Sequence, residues 1–380
     1  MKDISRLIEL GSLFIKLGVI GFGGPPSTIA MMENEAVQRR QWLSKETFLE
    51  MLATTNLVPG PNATEMAAHI GLLRAGVPGL ITAAIAFLLP GSLISLFLAI
   101  FYRRYGALPA VHFLFDFIKP IVTAILISAC LRLGNEVIKD YKKLLIGICS
   151  LIAALMGIEE IPILFTSGGL AIFLFSDSIK SFLPALITLG ANQFHSPVVD
   201  PNRFGQLSQL WFFFLKAGAL LFGSTYILIA FIQRDVVEKY QWLTQQEMLE
   251  AIAIGQITPG PISTTATFIG YLVADIPGAV LATIGIFMPS FFIVLLVGKF
   301  LPKINQNKIV SDFLKGVTAS SVALIVFVTI GIFQSTVIDI YSFVIVLIST
   351  FLLVKFKLDP FWLITSGIAL ALVKFVLFTY

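Results

Sequence analysis

Two proline-glycine-proline elements occupy equivalent positions of a repeat in this sequence. The segment Pro59-Gly60-Pro61 recurs 200 positions later as Pro259-Gly260-Pro261. Proline lacks an amide hydrogen and has a preset φ, so it suits the first turn of a helix, and glycine permits a tight cap before it. We therefore predict that one helix begins at Pro61 and a second at Pro261.

A helix that begins inside a membrane has a defined chemistry. Its first backbone amides have no partner within the helix, and the helix dipole places a partial positive charge there. Both features favour a bound anion, so we predict an anion site at these elements and include Asn62, which follows Pro61 directly. The alternative is that both elements are turns at the membrane surface, where water satisfies the amides.

A further candidate helix start lies upstream, at Gly23-Gly24-Pro25. The glycines would permit a close approach of the backbone to a ligand. The second half keeps Gly223 but has Ser224 in place of Gly24. The predicted site is therefore pseudo-symmetric at best.

Two lysines fall within apolar runs at the same position of the repeat. Lys16 lies within residues 7–24 and Lys216 within residues 207–223. Charges inside membrane segments are costly and indicate function by default. If both lysines face one cavity, they would neutralise a divalent anion. The alternative is that each side chain extends to the membrane surface.

Acidic residues near these elements have two interpretations. Glu65 lies four residues after Pro61 and is replaced by Thr265 in the second half. It is either a partner of its own helix start or a protonatable group that couples transport. Glu33 is either a coupling group or part of a solvated loop end. Two repeated aspartate and lysine pairs at a spacing of three are predicted to be internal ion pairs, namely Asp116 with Lys119 and Asp312 with Lys315.

The composition indicates an integral membrane protein that crosses the cell membrane several times. Of 380 residues, 57% are hydrophobic and 13% are charged, and the mean hydropathy is +0.92, whereas about a quarter of the residues in soluble chains are charged. Apolar stretches that approach the roughly 20 residues of a spanning helix recur along the chain. The N-terminal run carries residues of the repeat, so we interpret it as a retained helix and not as a signal peptide.

The repeat covers nearly the whole chain. Between positions 10–69 and 210–269, 19 of 60 residue pairs are identical. We predict an all-α membrane protein of two homologous halves, residues 1–190 and 205–380, joined by a polar linker at residues 191–204. Short or Gly/Pro-broken helices at matching places in two halves indicate a transporter binding site. Residues 142–157, 160–176 and 181–190 leave the number of spans open, and an inverted-topology repeat is the preferred hypothesis.

Other classes of function find no support in the residues. We find no nucleotide-binding motif, no metal-ligand spacing among His, Cys and carboxylate residues, and no nucleophile or acid-base pair. No catalytic residue, metal or cofactor is therefore predicted, and the chain is not expected to be an enzyme. The basic residues are scattered among loops, which is typical of membrane topology and not of a nucleic-acid surface.

One combination of motifs is similar to a known family. It consists of Gly21 to Pro25 in the order Gly-Phe-Gly-Gly-Pro, then Arg39-Arg40, Trp42-Leu43, Pro59-Gly60-Pro61 and Ile70-Gly71. This order, with Glu33 between its first two parts, closely resembles the chromate ion transporter family in its long form with two homologous domains. The resemblance covers almost the entire chain. It implies a membrane permease that exports chromate and gives chromate resistance, with sulfate as the related oxyanion, and it implies functional roles for residues 23–25 and 59–61.

Our leading hypothesis is a transporter that exports chromate or a sulfate-like oxyanion by alternating access around the broken helices. A channel-like anion conductor, or a permease for sulfate or another small anion, remains an alternative, and a membrane-embedded enzyme or scaffold has less support. The expected partners are the oxyanion and the lipid bilayer. The sequence leaves open the coupling ion, the orientation and the oligomeric state, a homodimer included.

Overall fold

The computed structural model describes residues 2–22, 24–55, 58–106, 108–175, 203–222, 224–297 and 307–379. In this part of the chain the regular structure is helical throughout. The helices of the first half are α1 (Lys2–Ile20), α2 (Gly24–Glu33), α3 (Lys45–Thr55), α4 (Asn62–Tyr105), α5 (Pro109–Ile138), α6 (Tyr141–Leu155) and α7 (Glu160–Phe175). A π-helical segment, Asn34–Arg39, directly continues α2.

The second half repeats these elements in the same order. Its helices are α8 (Arg203–Ala219), α9 (Ile227–Phe231), α10 (Gln245–Ile257), α11 (Thr265–Val297), α12 (Lys308–Thr336), α13 (Ile340–Lys355) and α14 (Pro360–Thr379). The π-helical segment Ile232–Lys239 continues α9, and a 3₁₀ turn, Ile262–Thr264, precedes α11. The two halves also share unusual backbone conformations, since the equivalent residues Gln41 and Gln241 both have a positive φ of 51°.

Helices α4 and α11 are hairpins and not single rods. In α4 the backbone leaves helical geometry at Ala75 and Gly76, where φ is +63°, and Gly71 packs against the backbone of Gly79. Residues eight apart in a straight helix are separated by about 12 Å, so the chain must fold back between them. The segments 62–74 and 77–105 therefore lie side by side. Helix α11 bends in the same way at Asp275.

Helix α1 ends about half-way across the membrane. Gly11 lies beside Thr82, and Gly18 packs against the backbone of Phe87, so α1 runs parallel to segment 77–105 and ends near its midpoint. The chain then returns as α2 and its π-helical continuation. Helix α3 and segment 62–74 form a second pair of this kind, with Gly60 at the inner end. The short pieces predicted from sequence around 46–57 and 61–74 are confirmed.

The two halves are inverted relative to each other. We call face A the membrane side on which Glu9 forms ion pairs with Arg40 and Arg74, and face B the opposite side. Segment 77–105 begins next to Arg74 and so ends on face B, where Arg103 pairs with Asp275. Since Asp275 marks the bend of α11, the second half has its hairpin on face B and the first half has its hairpin on face A.

The halves also exchange helices. Helices α6 and α7 pack against α12 of the other half, and α13 and α14 pack against α5. Small residues permit close approach, because Gly316 of α12 lies against the backbone of Ser167 of α7. The sequence left open the number of spans between residues 142 and 190. Residues 141–155 and 160–175 form two separate helices, α6 and α7, and residues 181–190 lie outside the described part. Among the described residues, four helices are long and apolar enough to span a membrane, namely α4, α5, α11 (with its preceding turn) and α12.

Replacing Gly71 with valine is expected to destabilise the fold, because any Cβ there would overlap the carbonyl of Gly79. Overpacking of this kind costs about 1–3 kcal/mol. A lower melting temperature in detergent would show it. The matched control is Gly331→Ala in α12, where a Cβ meets nothing within 4 Å. If both variants melt with the wild type, the close hairpin contact is not present in the folded protein.

Candidate functional site

The interruptions of the two halves meet through reciprocal backbone hydrogen bonds. The amide of Gly60 donates to the carbonyl of Leu221 at 3.0 Å, and the amide of Gly260 donates to the carbonyl of Gly21 at 3.0 Å. Gly21 directly follows the end of α1, and Leu221 lies two residues after the end of α8. Each proline-glycine-proline element is therefore fixed to the broken helix of the other half.

The same elements pack tightly against the long helices of the opposite half. Gly91 of α4 lies against the carbonyl of Pro259, and Ser95 donates a hydrogen bond to the carbonyl of Thr264 at 3.0 Å. Gly60 has a φ of +147° and lies against the side chain of Ser290 on α11. A side chain at Gly60 would meet both a disfavoured backbone conformation and a filled space. The crossing of the two halves is thus a rigid centre.

A cavity of about 660 Å³ lies beside this crossing. Five of the residues predicted to bind substrate line it, and they come from both halves: Gly24, Pro25, Asn62, Ser224 and Gly260. The cavity extends towards face A, because its lining includes Asn135 near the end of α5 and Lys357 in the loop after α13. The broken helices of the two halves therefore face one shared space.

The starts of several helices converge on this cavity. Helix α2 begins at Gly24, and α4 begins at Asn62 with Pro61 as a cap residue that offers no side-chain hydrogen bond. Ile262 begins the turn before α11 and also lines the cavity. These starts direct backbone amides and partial positive charge towards the cavity. The predicted start at Pro61 lies one residue before α4, whereas Pro261 lies one residue before the 3₁₀ turn and four residues before α11.

Two basic residues that were not predicted from the sequence also line the cavity, namely Arg132 of α5 and Lys357. Neither forms an ion pair with the residues that the structure describes. The carboxylate of Asp359 also lines the cavity, but it accepts a hydrogen bond from the amide of Phe361 at 2.9 Å and so caps α14. The charge rule for membrane helices would have drawn attention to Arg132, because it lies in an apolar span.

The predicted lysines lie elsewhere in this conformation. The Lys16 ammonium is 3.2 Å from Glu35, and Lys216 pairs with Asp235. Both acids belong to the π-helical segments that return beside α1 and α8, and neither lysine lines the cavity. Burial alone would raise the pKa of Glu35, but hydrogen bonds from Lys16 and Arg40 lower it.

The other predicted residues are not among the described residues that line the cavity. Five lie in the two proline-glycine-proline elements without lining it, namely Pro59, Gly60, Pro61, Pro259 and Pro261. Gly23 and Gly223 lie outside the described residues. Glu33 is the partly exposed last residue of α2, and Glu65 is fully buried in α4. The internal ion pairs predicted at a spacing of three are confirmed, at 2.9 Å for Asp116 with Lys119 and 2.7 Å for Asp312 with Lys315.

On face B, hydrogen bonds join the π-helical segment of the second half to a loop of the first half. Arg234 donates hydrogen bonds to the carbonyls of Gly157 and Ile158, at 3.0 and 2.8 Å, in the loop between α6 and α7. The counterpart of Arg234 on face A is Asn34, and the counterpart of Gly157 is Lys357. The hydrogen bonds that Arg234 forms on face B therefore have no equivalent of the same kind on face A.

Comparison with known proteins agrees with this repeated architecture. The family described as chromate transporter matches twice, over residues 8–173 and 208–373. The chain is 30% identical to a chromate transport protein of Cupriavidus metallidurans over 373 residues, which covers 96% of this chain and 92% of the relative. It is 32% identical to a chromate transport protein of Pseudomonas aeruginosa over 86% of this chain and 81% of the relative.

A shorter relative matches one half only. An uncharacterised transporter of Bacillus subtilis is 31% identical over 169 residues, which cover 44% of this chain and 83% of the relative. No solved structure matches the chain significantly. The repeated match over both halves, together with the broken helices, shows that this multi-pass membrane protein belongs to the chromate transporter family.

Proposed function

We propose that the chain exports chromate, or a related sulfate-like oxyanion, by alternating access. The observation that supports this most directly is the cavity at the crossing of the two halves, where uncapped helix starts and two cations meet. The names of the relatives indicate chromate as the first substrate to test.

The lining fits the chemistry of a tetrahedral dianion. Such an ion carries two charges and accepts hydrogen bonds on every oxygen, so it needs convergent donors and positive charge. Helix starts supply amides, while Arg132 and Lys357 supply charge-assisted hydrogen bonds. Half-helix starts that point at anionic groups are a recurring arrangement in transporters with inverted repeats.

The distribution of basic residues supports face A as the cytoplasmic side. Loops and helix ends on face A carry Lys2, Arg6, Arg39, Arg40, Lys45, Arg74, Lys139, Lys142, Lys143, Lys308, Lys355 and Lys357. Those on face B carry Arg103, Arg104, Arg203, Arg234, Lys239 and Lys374. Cytoplasmic loops hold the excess of lysine and arginine. The cavity would then admit the anion from the cytoplasm.

The membrane potential favours export from such a site. An inside-negative potential contributes about 2.3 kcal/mol per charge per 100 mV, so a departing dianion gains about 4.6 kcal/mol. Uptake would require coupled cations. If face A is cytoplasmic, the cavity receives the dianion from inside the cell, and the membrane potential favours its release outside.

Alternating access follows from the inverted halves. Arg234 joins the two halves on face B while the cavity reaches towards face A. An exchange of the two conformations would close face A and open face B. In this cycle Arg132 and Lys357 make the first contact with the substrate. Lys16 and Lys216 position the π-helical segments in the described conformation and contact the substrate in the other conformation.

Removal of either cavity cation is expected to weaken oxyanion binding. For Arg132→Met and Lys357→Met we expect the dissociation constant of sulfate to rise at least about tenfold, as for a loss of about 1.4 kcal/mol. Thermal-shift titration of the purified protein measures it. Lys374→Met is the control, because Lys374 packs on Phe113, Phe117 and Tyr341 near face B. Equal affinity in all three variants would remove both cations from the proposed site.

Transport itself is tested with inside-out vesicles. We expect chromate uptake that saturates with concentration and shows counterflow when the vesicles are preloaded with unlabelled anion, because each cycle carries a bound ion. Flux that rises linearly and shows no counterflow would indicate a channel-like conductor instead. Inside-out vesicles from cells that do not produce the protein give the background uptake.

The orientation is tested at two equivalent loops. After replacement of Cys130 and Cys149 by alanine, a membrane-impermeant maleimide on intact cells is expected to label Ile338→Cys between α12 and α13. Lys139→Cys, in the matching loop between α5 and α6, is expected to react only after the cells are permeabilised. The reverse pattern would place face A outside and contradict export from this cavity.

A further inference from the structure

Glu65 is a buried acid at the rigid centre of the molecule. Its side chain is 0% exposed, and neither carboxylate oxygen has a hydrogen-bond partner at normal geometry among the described residues. The hydroxyl of Ser290 on α11 lies next to it and is likewise unpartnered. A methyl group built on Gly60 would overlap both side chains, so the three groups are in close contact.

The ion pairs formed by the elements that contact α4 do not involve Glu65. Helices α1, α2, α3, α10 and α11 contact α4, and their ion pairs join Lys16 to Glu35, Glu9 to Arg40 and Arg74, and Asp275 to Arg103. Glu250 of α10 is bonded to Tyr102, and Glu50 of α3 is exposed. The titratable group that follows Glu65 on the same helix is His69, one turn further on, buried, with Nε2 unpartnered.

The position of Glu65 couples its charge to the anion site. Asn62, which begins α4 and lines the cavity, is less than one turn away. An ionised Glu65 would cancel the partial positive charge of this helix start and repel a dianion. As a neutral acid, Glu65 leaves the helix start positive, and an unpaired buried carboxylate would in any case carry a large desolvation cost.

We propose that Glu65 is a proton-binding site linked to the oxyanion site, so that binding of the anion favours binding of a proton at Glu65. The inference rests on the proposed function and adds the coupling ion to it. A dianion that crosses with one proton moves one net charge and not two.

Only the first half has this group. The counterpart of Glu65 is Thr265, whose hydroxyl donates to the carbonyl of Ile262 at 2.7 Å, and the counterpart of His69 is Ile269. The second half therefore has no ionisable group at either of these positions. A single linked proton for each anion is expected.

Proton uptake on anion binding tests the proposal directly. Calorimetric titration of the purified full chain with sulfate, in buffers of different ionisation heat, counts the protons taken up. Sulfate suits this test because it remains a dianion between about pH 6 and pH 8. We expect the wild type to take up as much as about one proton, with an affinity that rises up to about tenfold for each unit by which the pH falls.

The variants assign the proton to one side chain. Glu65→Gln is expected to bind sulfate with no proton uptake and with an affinity that does not change with pH. Thr265→Val, the matched control in the second half, and His69→Gln are expected to retain the uptake. Uptake that persists in Glu65→Gln, or that is lost only in His69→Gln, would overturn the proposal.

Titration of the wild type tests the proton-binding proposal even if a variant does not fold. Sulfate binding without proton uptake, or an affinity that depends on sodium and not on pH, would overturn the inference and leave the proposed function intact. If the wild type bound neither sulfate nor chromate at any pH, the proposed function would fail, and this inference with it.

Discussion

Backbone groups that are freed inside a membrane must find partners, and this constraint shapes the centre of the protein. Lipid offers no hydrogen bonds, so irregular backbone survives only where protein or a water-filled cavity satisfies it. Here the amides of Gly60 and Gly260 bond to carbonyls at the broken helices of the opposite half. These reciprocal bonds hold the halves together, and the helix starts that remain uncapped face the cavity. The features that permit the interruptions thereby also place helix starts along the cavity.

Asymmetry within this pseudo-symmetric frame gives the site its direction. Arg132 and Lys357 line the cavity, whereas their counterparts Val328 and Gly157 carry no charge. Arg234 bonds to the loop between α6 and α7 on face B, and Asn34 cannot form the equivalent contacts on face A. In the cycle we propose, the duplicated framework supplies two interchangeable conformations, and the residues that differ between the halves determine where the anion binds and from which side it enters.

Much of the framework could be predicted from the sequence. The duplicated prolines and glycines located the start of α4 to within one residue and that of α11 to within four, because proline and glycine act on the local backbone. The pairs Asp116 with Lys119 and Asp312 with Lys315 were also predictable, since they lie on one turn of a helix. Partners that the tertiary fold brings together were not. Lys16 meets Glu35 only because the chain reverses between them, and Lys357 reaches the cavity only because α13 packs on the other half. Arg132 escaped notice because its helix was interpreted as an ordinary span.

The central claim is that the oxyanion binds between the helix starts at the crossing of the two halves. An electron-microscopy structure of the full chain with tungstate, an electron-rich tetrahedral dianion, tests it most directly. We predict density between Gly24 and Asn62, within hydrogen-bond reach of Arg132 or Lys357. Tungstate bound only elsewhere, with this cavity empty in the conformation in which Arg234 bonds to the carbonyls of Gly157 and Ile158, would contradict the account.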